Sequence, residues 1–159
     1  PIELNSMGAG IWGSAFFAIF AVMIIISRPL VGKAYARYGS KYIIYPGLLL
    51  FILGLLALGI ATTPLTIILT APLLGLGYGA AQPAFQALAI QSAPIERAGV
   101  STATYFLALD ISVGAGSVIL ALLASAVGYQ YLYIFTAVIM IVALALYHIW
   151  IKRYTPLEL

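Results

Sequence analysis

Five long apolar runs, separated by charged residues, prolines and polar residues, dominate the chain. They cover residues 10–28, 43–61, 65–90, 99–127 and 131–151. Each is long enough to cross the ~30 Å hydrocarbon core of a bilayer, which takes about 20 helical residues. A membrane β-barrel would instead show alternating segments of about ten residues, and this pattern is not visible. The runs predict an all-α membrane protein with five spans and no soluble domain.

Composition supports this prediction and removes several classes of function. Hydrophobic residues make up 64% of the chain and charged residues 7%, whereas a soluble domain carries roughly 25% charged residues. So few charges cannot cover a surface that faces water, which excludes a soluble enzyme. The chain has no cysteine, no HExxH zinc motif and no phosphate-binding P-loop. We therefore expect no enzymatic activity, no cofactor and no metal.

The basic residues predict how the spans are oriented. All seven fall on one side of a five-span serpentine, and the positive-inside rule makes that side cytoplasmic. This topology accounts for the net positive charge, so a nucleic-acid partner is not expected. We predict a multi-pass protein of the cell (inner) membrane, with the start of the chain outside and its end inside. Because the chain begins at Pro1 rather than Met, we interpret it as a piece of a longer polypeptide. The basic residues are Arg28, Lys33, Arg37, Lys41, Arg97, Lys152 and Arg153.

The five runs differ in what they are suited to face. The second and fifth are apolar on every side, as suits helices surrounded by lipid tails. The first, third and fourth concentrate small and polar residues, which are tolerated where they face protein or an aqueous cavity. We therefore expect the second and fifth helices to lie outermost.

The third run is the most irregular, with two prolines and several glycines inside it. Gly75 and Gly79 form a GxxxG pair, which allows another helix to approach closely. Tyr78, Gln82 and Gln86 follow at helical spacing and form one polar stripe. Two interpretations stay open: the stripe makes hydrogen bonds between helices, or it lines a cavity.

Asp110 is the only acidic residue inside a predicted span. It lies about ten residues from the cytoplasmic end, or roughly 15 Å deep. A carboxylate near the midplane is costly unless it is paired, hydrated or protonated. Its helical face is otherwise made largely of small residues, so we expect the carboxyl to point inward. It is either a functional group or a protonated hydrogen-bonding partner of a neighbouring helix. The face carries Ala103, Phe106, Gly114, Ser117 and Ala121.

A short segment between the first two runs carries a family resemblance. Residues 28–41, RPLVGKAYARYGSK, resemble the cytoplasmic loop signature of the major facilitator superfamily. Ala36 stands where that pattern has an aspartate, a substitution usual in the copy found in the C-terminal half. Gly75 to Gly79 with Pro83 is similar to the tenth helix of that family. The signature positions that match are Gly32, Arg37, Gly39 and Lys41.

The resemblance implies an architecture. The five runs would correspond to helices eight to twelve, a five-helix part of the C-terminal six-helix bundle of a twelve-helix transporter. In that fold helices nine and twelve face lipid. The partners implied are the bilayer and the missing N-terminal half of the same polypeptide. In general character the chain resembles bacterial efflux permeases for drugs or sugars.

The function implied is secondary active transport, with proton-coupled efflux of a small organic solute by alternating access. Substrate would contact the third run, and Asp110 would exchange a proton or stabilise a cation. The segment from Gly32 to Lys41 would bias the inside-closed state. A membrane scaffold or receptor on the same fold is the alternative, and a dimerising half-transporter is a third. The expected substrate contacts are Tyr78, Gln82, Phe85 and Gln86.

Overall fold

Five α-helices make up the computed structural model, which describes residues 2–154 and the side chains of residues 10–149. All five helices are long and apolar enough to cross a membrane, and residues 2–154 contain no strand. This confirms the predicted all-α membrane fold. The helices are α1 (Ile2–Tyr38), α2 (Lys41–Ile60), α3 (Pro64–Gln91), α4 (Ala98–Val127) and α5 (Tyr129–Tyr154). A single 3₁₀ turn, Ile95–Arg97, precedes α4.

The first helix is longer than the sequence predicted. We placed the end of the first span near Arg28, but α1 continues through Pro29 to Tyr38. A proline inside a helix removes one backbone hydrogen bond. Here the following turns are held by tertiary packing, because Val31 and Tyr35 pack against the buried cluster around Ile44. The long cytoplasmic loop expected after residue 28 is therefore mostly helix.

Local signals explain where the helices end. Gly39 adopts a φ of 82°, and its backbone N–H donates to the carbonyl of Tyr35 at 2.9 Å, which closes the end of α1. Gly128 separates α4 from α5 with a φ of 85°. At the start of α3, Thr63 and Thr66 form a capping box in which each side-chain oxygen accepts from the other residue's backbone N–H. The helices are therefore joined by connections of a few residues.

Helix α3 occupies the centre of the packing, in close contact with both α1 and α2. A Cβ added at Gly77 would lie 2.8 Å from the carbonyl oxygen of Gly47 in α2. One added at Gly75 would lie 2.7 Å from the carbonyl oxygen of Phe20 in α1. Close approach of backbones at small residues is the usual way in which membrane helices associate. The glycines of α3 thus fix its position between its two neighbours.

Burial does not follow the expectation from the apolar runs. We expected α2 to lie outermost in lipid, but it has eight buried residues and packs against both α3 and α5. By contrast, Ala124 is the one buried residue along the described length of α4. Lipid tails and leucine side chains are equally apolar, so a helix that is apolar on every side suits either environment. The small residues of α2, among them Gly47 and Gly54, determine that it is packed.

Candidate functional site

A cavity of about 1030 Å³ opens between α3 and α4 and is also lined by residues of α2 and α5. We call it the main cavity. Its walls are mostly apolar, with Leu48 and Phe51 from α2 and Met140 from α5 among them. A small number of polar residues lies among these apolar groups, which is the usual composition of a site for an organic ligand. The polar residues are Tyr78, Gln82, Tyr105, Ser112 and Tyr147.

Helix α3 presents three of the four predicted substrate contacts to this cavity. Tyr78, Gln82 and Phe85 all line it, because their spacing of four and three residues places them on one helical face. The faces on either side are occupied, since Gly75 packs on α1 and Gly77 on α2. The structure therefore brings these three side chains together, as the sequence predicted.

Tyr78 is the most open of the three. Its ring centroid lies 6.2 Å from that of Phe20 in α1 and 6.3 Å from that of Phe51 in α2. Aromatic rings at such separations attract each other edge to face or offset. The side chain is nevertheless 41% exposed. Tyr78 is thus held in position by aromatic neighbours while much of its surface remains available to a ligand.

Two hydrogen bonds attach α4 to the C-terminal half of α3. The Tyr105 hydroxyl donates to the carbonyl of Gln82 at 3.1 Å, and the Ser101 hydroxyl donates to the carbonyl of Ala89 at 2.6 Å. Beyond Tyr105 the two helices enclose the main cavity, to which Leu109 and Ser112 contribute from α4. These bonds therefore select the face of α4 that the cavity meets.

Gln86, the fourth predicted contact, lies in a different place. It lines a second cavity of about 580 Å³ between α1 and α3, which we call the Arg28 groove. Residue 86 follows residue 78 by eight positions, which turns it by about 80° around the helix axis. The predicted stripe is consequently divided between two cavities. Gln82 lines both of them, with Arg28, Tyr35 and Phe106 also in the groove.

Asp110 is not part of either cavity. Its side chain is exposed, and the residues of α4 that line the main cavity are Tyr105, Ala108, Leu109 and Ser112. Among residues 10–149 it forms no hydrogen bond or ion pair with another side chain. Its small-residue face is exposed among the described residues, because the hydrogen bonds from Ser101 and Tyr105 turn a different face of α4 toward α3. The expectation that the carboxyl points inward in the whole protein therefore stays a prediction. The structure does not bring Asp110 together with the predicted substrate contacts.

The four signature residues surround the α1–α2 connection rather than forming a loop. Gly32 lies within α1 and lines the Arg28 groove. Arg37 is in the last turn of α1, with its guanidinium 5.3 Å from the ring centroid of Tyr38, a distance that allows a cation–π interaction. Gly39 forms the turn, and Lys41 is the first residue of α2. Two of the four signature residues therefore lie in α1, one lies in the turn and one begins α2.

Several polar contacts that join the helices were not predicted. The hydroxyl of Tyr45 in α2 lies 2.6 Å from Nδ1 of His148 in α5, and the Tyr35 hydroxyl donates to Oε1 of Gln91 at 3.0 Å. Tyr147 packs between the rings of Tyr45 and Phe85. The aromatic residues are visible near the ends of the apolar runs, but nothing in a single sequence says which pairs meet. Within the side chains described, no group of three metal-ligating residues comes together.

Comparison with known proteins identifies the family. A sequence model of the Major Facilitator Superfamily matches residues 3–158, which confirms the resemblance carried by residues 28–41. Several relatives carry the name Uncharacterized MFS-type transporter YhhS. The protein of Escherichia coli O6:H1 is 29% identical to this chain over 151 residues, and that of Escherichia coli strain K12 is 29% identical to it over 149 residues. The same-named protein of Salmonella typhi is 28% identical over 147 residues.

These matches cover 91–93% of the chain but 36–37% of each relative, so the chain spans little more than a third of their length. No solved structure matches the chain. The family match extends across all five apolar helices and the glycine-rich α3 at their centre. On this basis, the chain belongs to the Major Facilitator Superfamily.

Proposed function

We propose that the full-length protein containing this chain is a secondary active transporter that exports a small organic solute in exchange for protons. The observation that carries the proposal is the position of Tyr78, Gln82 and Phe85 on one face of α3. Tyr78 lies near the middle of the helix, about 20 Å from each end. Transporters of this kind bind their cargo near the midplane and alternate access around that point.

The main cavity suits an organic solute with both apolar and polar parts. Its apolar walls would bury a hydrocarbon body, while the Gln82 amide and the phenols of Tyr78 and Tyr105 offer hydrogen bonds. The described side chains that line this cavity carry no formal charge. We therefore assign recognition here to shape and hydrogen bonding.

Asp110 is the residue to which we assign proton exchange. An exposed carboxylate on a membrane-spanning helix is expensive to place in lipid. The chain spans about a third of its relatives' length, so a large part of such a protein is available to cover this face. The small residues Gly114 and Ser117 beside Asp110 favour close packing of another helix. We propose that the carboxyl lies against the remaining polypeptide and gains and loses a proton during the cycle.

The α1–α2 connection would set the conformational equilibrium. Its basic residues lie at one end of the bundle, as the positive-inside rule requires for a cytoplasmic end in the inner membrane. The backbone there bends at a single residue, Gly39, between two long helices. We assign to Gly32, Arg37, Gly39 and Lys41 a role in favouring the inside-closed state.

Solute-dependent proton movement tests this proposal. The full-length protein is reconstituted in liposomes that contain pyranine, and a panel of drugs and sugars is added one compound at a time. At least one compound should move protons in wild type, and Asp110→Asn should abolish that signal while inserting normally. Glu96→Gln removes an exposed carboxylate outside the apolar core of α4 and should behave as wild type.

Other outcomes of the same assay would count against the proposal. Wild-type proton movement by Asp110→Asn would reduce that residue to a structural polar group. Absence of solute-dependent proton movement and of counterflow for the whole panel would favour the scaffold or receptor alternative.

A further inference from the structure

Arg28 lies at the end of the apolar run in α1, where membrane topology accounts for its charge but not for its place in a cavity. It lies inside α1, about 15 Å before the helix ends at Tyr38, rather than in a loop. Both Arg28 and Lys33, further along the same helix, have exposed side chains, but only that of Arg28 lines the Arg28 groove. A cation that only marked the cytoplasmic side would have no need to line a cavity between two helices.

No carboxylate in the described part of the chain neutralises Arg28. Residues 10–149 contain two acidic side chains, Glu96 and Asp110, and neither forms an ion pair with it. The described residues that line the groove include no acid. A guanidinium has five N–H donors in a planar arrangement that matches a carboxylate or phosphate group. Among the side chains of residues 10–149, these donors therefore have no anion to receive them.

The neighbouring side chains favour an anion with an apolar body. The amides of Gln82 and Gln86 line the groove, and each can donate two further hydrogen bonds. Tyr35 provides mainly a wall, because its hydroxyl hydrogen is already donated to Gln91. Apolar surface comes from Val31, Pro83, Ala87 and Phe106.

We propose that Arg28, together with Gln82 and Gln86, binds the oxyanion of an amphipathic ligand in the groove between α1 and α3. The oxyanion is a carboxylate or phosphate, carried either by a solute or by an anionic phospholipid. Because Gln82 lines both cavities, a solute held here by its charge extends its body toward Tyr78. If the ligand is a solute, the proposal rests on the proposed transport function and restricts the cargo to anions. If the ligand is a phospholipid, the proposal does not depend on transport.

The test measures binding rather than transport, so that its failure differs from failure of the transport proposal. The full-length protein in dodecyl maltoside is titrated with 1-naphthaleneacetate and with its uncharged amide by calorimetry. Loss of hydrogen bonds to a charged group weakens binding about tenfold or more. We expect Arg28→Gln to bind naphthaleneacetate about tenfold or more weakly than wild type does, and wild type to bind the amide more weakly by a similar factor. The affinity of Lys33→Gln for naphthaleneacetate should stay within about twofold of wild type.

A second arm identifies a lipid source. Wild type, Arg28→Gln and Lys33→Gln are placed in nanodiscs of phosphatidylglycerol or phosphatidylcholine, and retained lipid is counted by native mass spectrometry. Retention of phosphatidylglycerol that Arg28→Gln alone abolishes supports the site with a lipid as its ligand. Binding of naphthaleneacetate that depends on Arg28 supports it with a solute.

Two results would overturn the proposal. If neither probe depends on Arg28, the side chain only extends toward the membrane interface and the proposal is overturned. Gln86→Glu provides an independent check, because a carboxylate placed in the groove should pair with Arg28 and exclude either anion. Unchanged binding of both probes by a folded Gln86→Glu protein would also overturn the proposal.

Discussion

The contact between α2 and α3 makes a quantitative prediction at Gly77. A Cβ at this position would lie 2.6 Å from the backbone nitrogen of Phe51, which is 0.8 Å short of the 3.4 Å at which ordinary contact begins. A second backbone atom, the carbonyl oxygen of Gly47, would lie 2.8 Å away. Backbone atoms cannot rotate aside as a side chain can. Gly77→Ala must therefore push the two helices apart.

The cost should be visible as lost thermal stability. Overpacking of a close-packed interior typically costs about 1–3 kcal/mol, and we expect Gly77→Ala at the upper end of that range. The assay is the thermal midpoint of the full-length protein in detergent, followed by fluorescence-detected size exclusion. Gly99→Ala is the matched control, since a Cβ there meets nothing within 4 Å and the midpoint should stay near wild type. Equal midpoints for both variants would show that α2 and α3 are not packed as described.

Three further predictions concern the hinge, the main cavity and the topology. Gly39→Val places a β-branched residue at a φ of 82°, which strains the backbone by about 1–2 kcal/mol. This variant should slow transport with little change in substrate affinity. A large loss of affinity at a normal maximal rate would contradict the hinge assignment. Ser112→Cys should react with an aqueous thiol reagent in the full-length protein, and complete protection would show that another helix fills the main cavity. Thr63→Cys and Gln130→Cys should label from outside intact cells and Ser40→Cys should not, so outside labelling of the last would reverse the orientation.

The helices could be predicted because their signals are local. Apolar runs of sufficient length define the spans, and residues such as Thr63 and Gly128 mark their ends. The length of α1 could not be read in the same way. Whether a helix continues past Pro29 depends on the packing of Tyr35 against residues of other helices, which the local sequence does not contain.

The candidate site was predicted in part for a similar reason. Tyr78, Gln82 and Phe85 share a face by helical spacing alone, and the glycines of α3 indicate which faces are occupied. The direction of Asp110 depends instead on long-range hydrogen bonds from Ser101 and Tyr105 to carbonyls of α3. Donors of this kind have many possible acceptors, so sequence spacing could not identify the face that packs.

Alternating access at the middle of α3 is tested most directly by a cysteine at Tyr78. The full-length protein carrying Tyr78→Cys is expressed in cells, and inverted membrane vesicles are prepared from some of them. Intact cells and inverted vesicles are then treated with a membrane-impermeant thiol reagent. We expect labelling from both sides in wild-type background, and labelling from outside only when the inside-closed state is stabilised. Labelling from one side alone under every condition, or from neither, would contradict a transport cycle that opens this cavity alternately to the two sides of the membrane.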